Sequence, residues 1–198
     1  MIKTVSTGKE MRIMQKNGIP GTSVRGKKIY ILLTRLRSRW AKAVGVLTGE
    51  FYTHASLGFE EDLQTFYSFT FKGFLVESIK RYIEKNPGGV KCMLYELWVS
   101  QEEYESLKAE IAYYISNRKR YHYNRIGVIL SLFHISWKRQ EHYFCSQFVA
   151  ELLQKREMMT TKKKSTIFFP KDFHRVKELK PYYCGNLSGM LQLCAVTG

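Results

Sequence analysis

Cys145 opens the segment YFCSQFVAELLQKRE, in which Phe144, Phe148, Val149, Leu152 and Leu153 recur at helical spacing and Lys155 and Arg156 close the pattern. The sequence therefore predicts a helix with a cysteine in its first turn. Amides there have no intrahelical partner and lie at the positive end of the helix dipole, so they stabilise a thiolate and can hold a developing oxyanion. Cys145 is a candidate nucleophile on those grounds. A cysteine at such spacing also serves as a small buried hydrophobe. A thiol nucleophile needs a base, and the chain offers His54, His122, His134, His142 and His174. His54, between Thr53 and Ala55, is the one that falls in an expected strand, where a rigid backbone would aim the ring. Its plain alternative is a strand histidine with its hydrogen bonds satisfied.

The elements that must bring these residues together are legible in outline. KKIYILLT is a short apolar, β-branched run of the kind that becomes a buried strand. In RLRSRWAKAVGVLTG, Leu36, Trp40, Val44 and Leu47 mark one face of a helix ending at Gly49. Residues 52 to 71 alternate around a turn near Glu61 and Asp62 and predict an antiparallel hairpin. GFLVESI suggests another strand, and VKCMLYELWV a further one after the break Asn86-Pro87-Gly88-Gly89. Ser100 and Glu103 form a capping box, starting a helix to about Asn117 with Leu107, Ile111 and Ile115 inward. IGVILSLFHISW reads as core or as a wall of a substrate groove, and Asp172 in PKDF as a cap rather than an acid catalyst. The expected organisation is a basic arm over residues 1–26, one domain over 27–184 and a short tail over 185–198. The fold class is α+β: a central antiparallel sheet of five or six strands with the cysteine helix packed on one side.

Composition narrows the functional classes. The 198 residues are 44% hydrophobic and 14% aromatic, enough for a single substantial core, which excludes disorder throughout. No apolar run reaches the ~18 to 20 residues of a spanning helix. The first residues lack the apolar stretch of an export signal, so a cytoplasmic setting is expected. Four cysteines without C-x-x-C spacing predict free thiols and give no zinc motif. The net charge of +15 favours phosphates, anionic membrane or other polyanions, and part of it sits in the arm, expected to make peripheral contact with such surfaces. No motif that reads DNA or RNA is present, so no specific nucleic-acid partner is expected.

Taken in order, LTGEFYTHASLGF, LQTFYSF, YELWVSQEEYESLK, YHYNRIGVIL and YFCSQFVAELL resemble the permuted branch of the NlpC/P60 superfamily, papain-like proteins related to the lecithin:retinol acyltransferase group. The likeness spans roughly residues 28 to 173. In that branch the histidine strand precedes the cysteine helix, as His54 precedes Cys145. The resemblance implies a papain-like fold and a cysteine hydrolase or acyltransferase acting on an amide, ester or thioester through an acyl-enzyme, without metal or cofactor. It implies Cys145 as nucleophile, His54 as base and a third polar group on the strand after the histidine strand. Pairing across the turn puts residues 68 and 69 opposite His54, so Ser68 is the first candidate, Gln64 the second, and Glu77 a substitute if the next strand lies alongside. Tyr52 and Tyr143 flank the two catalytic candidates and are candidate oxyanion or substrate donors. The substrate is expected to be a peptide or an acyl lipid, with aromatic residues around both candidates suiting an apolar acyl chain. The other classes left open are a catalytically silent papain-like module and a basic protein that binds anionic membrane or nucleic acid.

Overall fold

KKIYILLT forms β1 (Lys27–Thr34), and its unbroken apolar run reflects its position: it pairs with strands on both sides and is covered on both faces. Ile29, Ile31 and Leu33 point into one core, Tyr30 and Leu32 into another. These positions belong to a computed structural model that describes residues 26–35, 49, 51–60 and 62–197. The basic arm up to residue 25 and the helix expected over residues 36–48 lie outside the described residues.

Around β1 the chain builds a six-stranded, wholly antiparallel sheet. Its strands are β2 (His54–Phe59), β3 (Asp62–Thr70), β4 (Gly73–Ser78), β5 (Lys91–Val99) and, late in the sequence, β8 (Lys180–Asn186), in the order β4-β3-β2-β1-β5-β8. Gly73 enters β4 at φ 87°, where a Cβ would stand 2.3 Å from the Tyr121 carbonyl oxygen, so this tight turn requires glycine. The β2–β3 hairpin carries an irregularity between Gly58 and Phe59: Leu57 faces Tyr67 and Gly58 faces Phe66, but Phe59 then faces Asp62. That slip displaces the pairing from the regular register on which Ser68 was placed opposite His54.

The helices cover the two faces. Between β4 and β5 runs α1 (Ile79–Glu84). The capping box forms as expected, Ser100 Oγ accepting from the Glu103 amide at 3.2 Å and Glu103 Oε2 from the Ser100 amide at 2.7 Å. It starts α2 (Gln101–Ser116), which buries Tyr104, Leu107, Ile111 and Tyr114. Ile115, expected inward, is exposed, because the 104-107-111-114 stripe sets the buried face and leaves it on the flank. A parallel pair, β6 (His122–Tyr123) and β7 (His142–Tyr143), brackets α3 (Arg125–Leu132) and leads into α4 (Cys145–Gln154). The final helix is α5 (Leu187–Thr197).

One core joins Ala55, Leu57 and Phe69 of the sheet to α2 and to Phe148, Val149, Leu152 and Leu153 of α4. The second joins Phe66, Cys92 and Leu94 to Ile79 of α1 and Leu187 and Met190 of α5. The stretch from residue 185, expected as a tail, is therefore part of the domain: β8 runs to Asn186, and Leu187 and Met190 are fully buried. Only Gly185 and Asn186 of this stretch belong to the edge strand; the rest forms α5. The architecture is mixed α+β with a mainly antiparallel sheet, and among the described residues no helix is long and apolar enough to cross a membrane.

Phe148 is fully buried and its ring meets those of Phe69, Phe74 and Tyr114. Phe148→Ala should cost about 3–5 kcal/mol of unfolding free energy, measured by urea denaturation. A loss below ~1 kcal/mol would show that α4 is held by something other than this packing.

Candidate active site

α4 begins at Cys145 because Phe144, in extended backbone, supplies a carbonyl for the Phe148 amide but no side-chain oxygen to cap the first turn. No side-chain oxygen of Phe144 competes for the amides at this end, which are placed to receive a negative charge. The start of α4 is fixed by the β6–β7 pair, where the Asn124 amide donates to the Tyr143 carbonyl at 3.0 Å and the His122 amide to the Glu141 carbonyl at 2.9 Å. The Cys145 side chain is buried, and it lines the same cavity as His54, near enough to act on the charge of that imidazole.

His54 is the first residue of β2 and pairs with Thr34 at the end of β1. By alternation it lies on the face of Tyr30 and Leu32, opposite to Ala55 and Leu57. Its Nε2 stands 2.7 Å from Glu77 Oε1. Burial penalises the charged imidazolium, but the Glu77 carboxylate and the hydrogen bonds to Cys145 and Glu77 outweigh it and hold the pKa well above the usual histidine value. Thiol, imidazole and carboxylate thus form a contiguous row, with the base supported on its far side.

Ser68 does not orient the histidine. Its hydroxyl is buried and donates to the Ala55 carbonyl oxygen at 2.6 Å, tying β3 to the start of β2. Gln64 is exposed beside the β2–β3 turn, where its amide donates to Asp62 Oδ1 at 2.8 Å. Glu77, the substitute candidate, occupies the place, reached from β4 rather than from the strand next to the histidine. The two tyrosines also lie elsewhere. Tyr52 directs its hydroxyl to the Cys92 carbonyl at 3.5 Å, near Cys184, and packs on His174. Tyr143 packs against Phe69 and lines a separate polar cavity with Glu110, Lys138 and Glu151. Asp172 acts as a cap, accepting from the Phe169 amide at 2.7 Å and from Lys163 Nζ at 2.6 Å.

Beside the row opens a cavity of about 560 Å³ in which His54, Glu77 and Cys145 share the lining with Phe71, Leu75, Val76, Val128 and Phe169. Exposed Lys72, Arg81 and Lys85 add positive charge to it. Two further lining residues escaped sequence reasoning. Ser146 is fully buried, and its hydroxyl has no hydrogen-bond partner among the described residues. Tyr123 has its phenol pushed far up by burial, with the neighbouring Cys145 adding to the effect, so it stays protonated and able to donate. The adjacency of Ser146 to Cys145 was a usable signal. Tyr123 gave none, because a two-residue strand has no periodicity to read. Compared with known proteins, the chain matches no family model, no curated protein and no solved structure.

The row carries a pH signature. Since the folded-state pKa of His54 lies above that of the unfolded chain, the stabilisation it brings is fully present below about 6.5 and is lost as pH rises through the folded value. Glu77→Gln removes the carboxylate that favours imidazolium, so the His54 midpoint, followed by NMR of the ring protons, should move down. The stability gap between wild type and variant should narrow as pH rises over the same window. An unmoved midpoint would show that the carboxylate does not set the charge of the ring.

Proposed function

We propose that the chain is a cysteine-dependent hydrolase or acyltransferase of the permuted NlpC/P60, papain-like kind, acting on an amide, ester or thioester. The observation that carries this reading is the cluster in which one imidazole is hydrogen-bonded to a carboxylate and lies beside the thiol at an uncapped helix start. The Cys145 thiolate attacks the carbonyl carbon of the substrate, and the negative charge that gathers on its oxygen is met by the first amides of α4. His54, as imidazolium, gives its proton to the leaving amine, alcohol or thiol, and the acyl group remains on Sγ. Water or an acceptor then loses a proton to His54 as it attacks the thioester, and Cys145 is regenerated. Glu77 holds the ring and stabilises its charged form, the part played by the third member of such triads.

The lining of the cavity supports an apolar acyl chain ahead of a charged peptide, since Phe71, Leu75, Val76, Val128 and Phe169 offer no hydrogen-bonding side chain. The basic side chains beside them suit a substrate with a phosphate. A reducing, intracellular setting fits the exposed Cys184 and the buried Cys92, both free thiols.

Purified protein should turn over acyl thioesters or phospholipids, with Cys145→Ala as the blank and His54→Ala lowering the rate by ~10²- to 10⁴-fold. Limiting iodoacetamide at neutral pH should label Cys145 ahead of Cys92, Cys184 and Cys194, and His54→Ala should slow that labelling. Cleavage of muropeptides alone would move the substrate class to wall peptides. Absence of turnover on all of them, with Cys145 no more reactive than the other thiols, would leave a silent papain-like module.

A further inference from the structure

The α3 helix is amphipathic in the inverted sense. Its inward face carries Gly127, Val128 and Ser131, while Ile126, Ile129 and Phe133, at helical spacing, stand 53%, 44% and 71% exposed. Ile135, just beyond, is 50% exposed. The sequence expectation of core or groove wall for this segment is thus corrected for its outer face. The turn that carries Phe133 and Ile135 is itself costly. His134 sits at φ 57°, a left-handed conformation that disfavours non-glycine residues by ~1–3 kcal/mol, so that its amide donates to the Ser131 carbonyl and that of Ile135 to the Leu130 carbonyl. Strain and exposed apolar area meet at one spot, where solubility alone would favour a polar turn.

The surroundings of this patch are positive. From Arg118 to Glu141 the sequence holds Arg118, Lys119, Arg120, Arg125, Lys138 and Arg139 against Glu141 alone, and Glu141 is taken by Arg120 at 2.6 Å. Lys138 pairs with Glu151. Arg118, Lys119, Arg125 and Arg139 make no ion pair among the described residues, and Arg125 lies over the ring of Phe71, half exposed on the lining of the active-site cavity. Val128 and Tyr123, at the inner side of α3 and just before it, line the same cavity. The inner side of this helix thus lines the cavity while its outer side carries the patch.

We infer that α3 and the turn after it, with Ile126, Ile129, Phe133 and Ile135 as the inserting side chains and Arg125 and Arg139 as headgroup contacts, dock the protein on an anionic lipid surface. A projecting helix with large apolar side chains at its crown and basic ones around them is the pattern of an interfacial element, with the apolar part entering the acyl boundary and the cations meeting phosphates. The charges of this stretch that make no ion pair among the described residues are all cationic, which suits a layer of anionic headgroups better than the mixed polar rim of a protein partner. The inference stands apart from the chemistry proposed above, because docking requires neither Cys145 nor His54.

The test uses the full chain in co-sedimentation with vesicles of phosphatidylserine and phosphatidylcholine in equal parts, and with heparin as a polyanion that has no apolar phase. The double variant I129S/F133S, altered only at exposed positions, should bind vesicles about tenfold more weakly and bind heparin as wild type does. The pair R125Q/R139Q should weaken vesicle binding several-fold at low salt. Equal loss on Cys145→Ala protein separates docking from turnover. Unchanged vesicle affinity in I129S/F133S overturns the inference, and so does a wild-type dimer in sedimentation velocity that this variant dissolves, since a second copy would then be what covers the patch.

Discussion

The burial of one face of α4 against β2 and β3 is the constraint on which the rest of this molecule depends. Phe148, Val149, Leu152 and Leu153 meet Ala55, Leu57 and Phe69 in a common core, and each buried side chain of that size stabilises the contact by roughly 1.5–3 kcal/mol. The same contact sets where the helix begins relative to the sheet. Because α4 starts at Cys145 and β2 starts at His54, fixing the bodies of the two elements fixes their first residues as well. The juxtaposition of Cys145, His54 and Glu77 is therefore a consequence of packing several residues away.

That arrangement explains which parts of the molecule were legible in the sequence. Strands β1 to β5, the capping box and the cysteine helix announced themselves through alternation, turn residues and helical spacing, all of them local signals. Cys145 and His54 could be chosen as candidates for the same reason, since Cys145 stood at the start of a readable helix and His54 within a readable strand. What joined them was the resemblance, because no local rule brings a strand residue to a helix so far along the chain. The third member shows the limit: Ser68 was placed by assuming a regular hairpin, and the slip between Gly58 and Phe59, together with the reach of Glu77 from the strand beyond, lies outside what pairing arithmetic can supply. The C-terminal strand failed differently. KPYYCGN lacks an apolar alternation because β8 pairs at the edge beside β5 and shows most of its side chains to solvent.

The helix α3 inverts the rule by which apolar faces are assigned inward. Its sequence alone, rich in Ile, Val and Leu, satisfies the same pattern whether the helix lies in a core or projects from it, and only the placement of Asn124 as its cap and of Val128 against the cavity shows which face is turned away. Hydrophobic periodicity reports that a face is apolar; it does not report what covers it.

Glu77 belongs to β4, the terminal strand of the sheet, which among the described residues hydrogen-bonds to β3 and to no other strand. Edge strands open at lower free energy than strands held on both sides, and such opening proceeds without global unfolding. The thiol and the imidazole sit on α4 and β2, and β4 also carries Phe74, whose ring meets Phe148 of α4, so the edge strand and the cysteine helix share one core. The carboxylate therefore reaches His54 from the outermost strand, so the charge on the ring depends on that strand being closed.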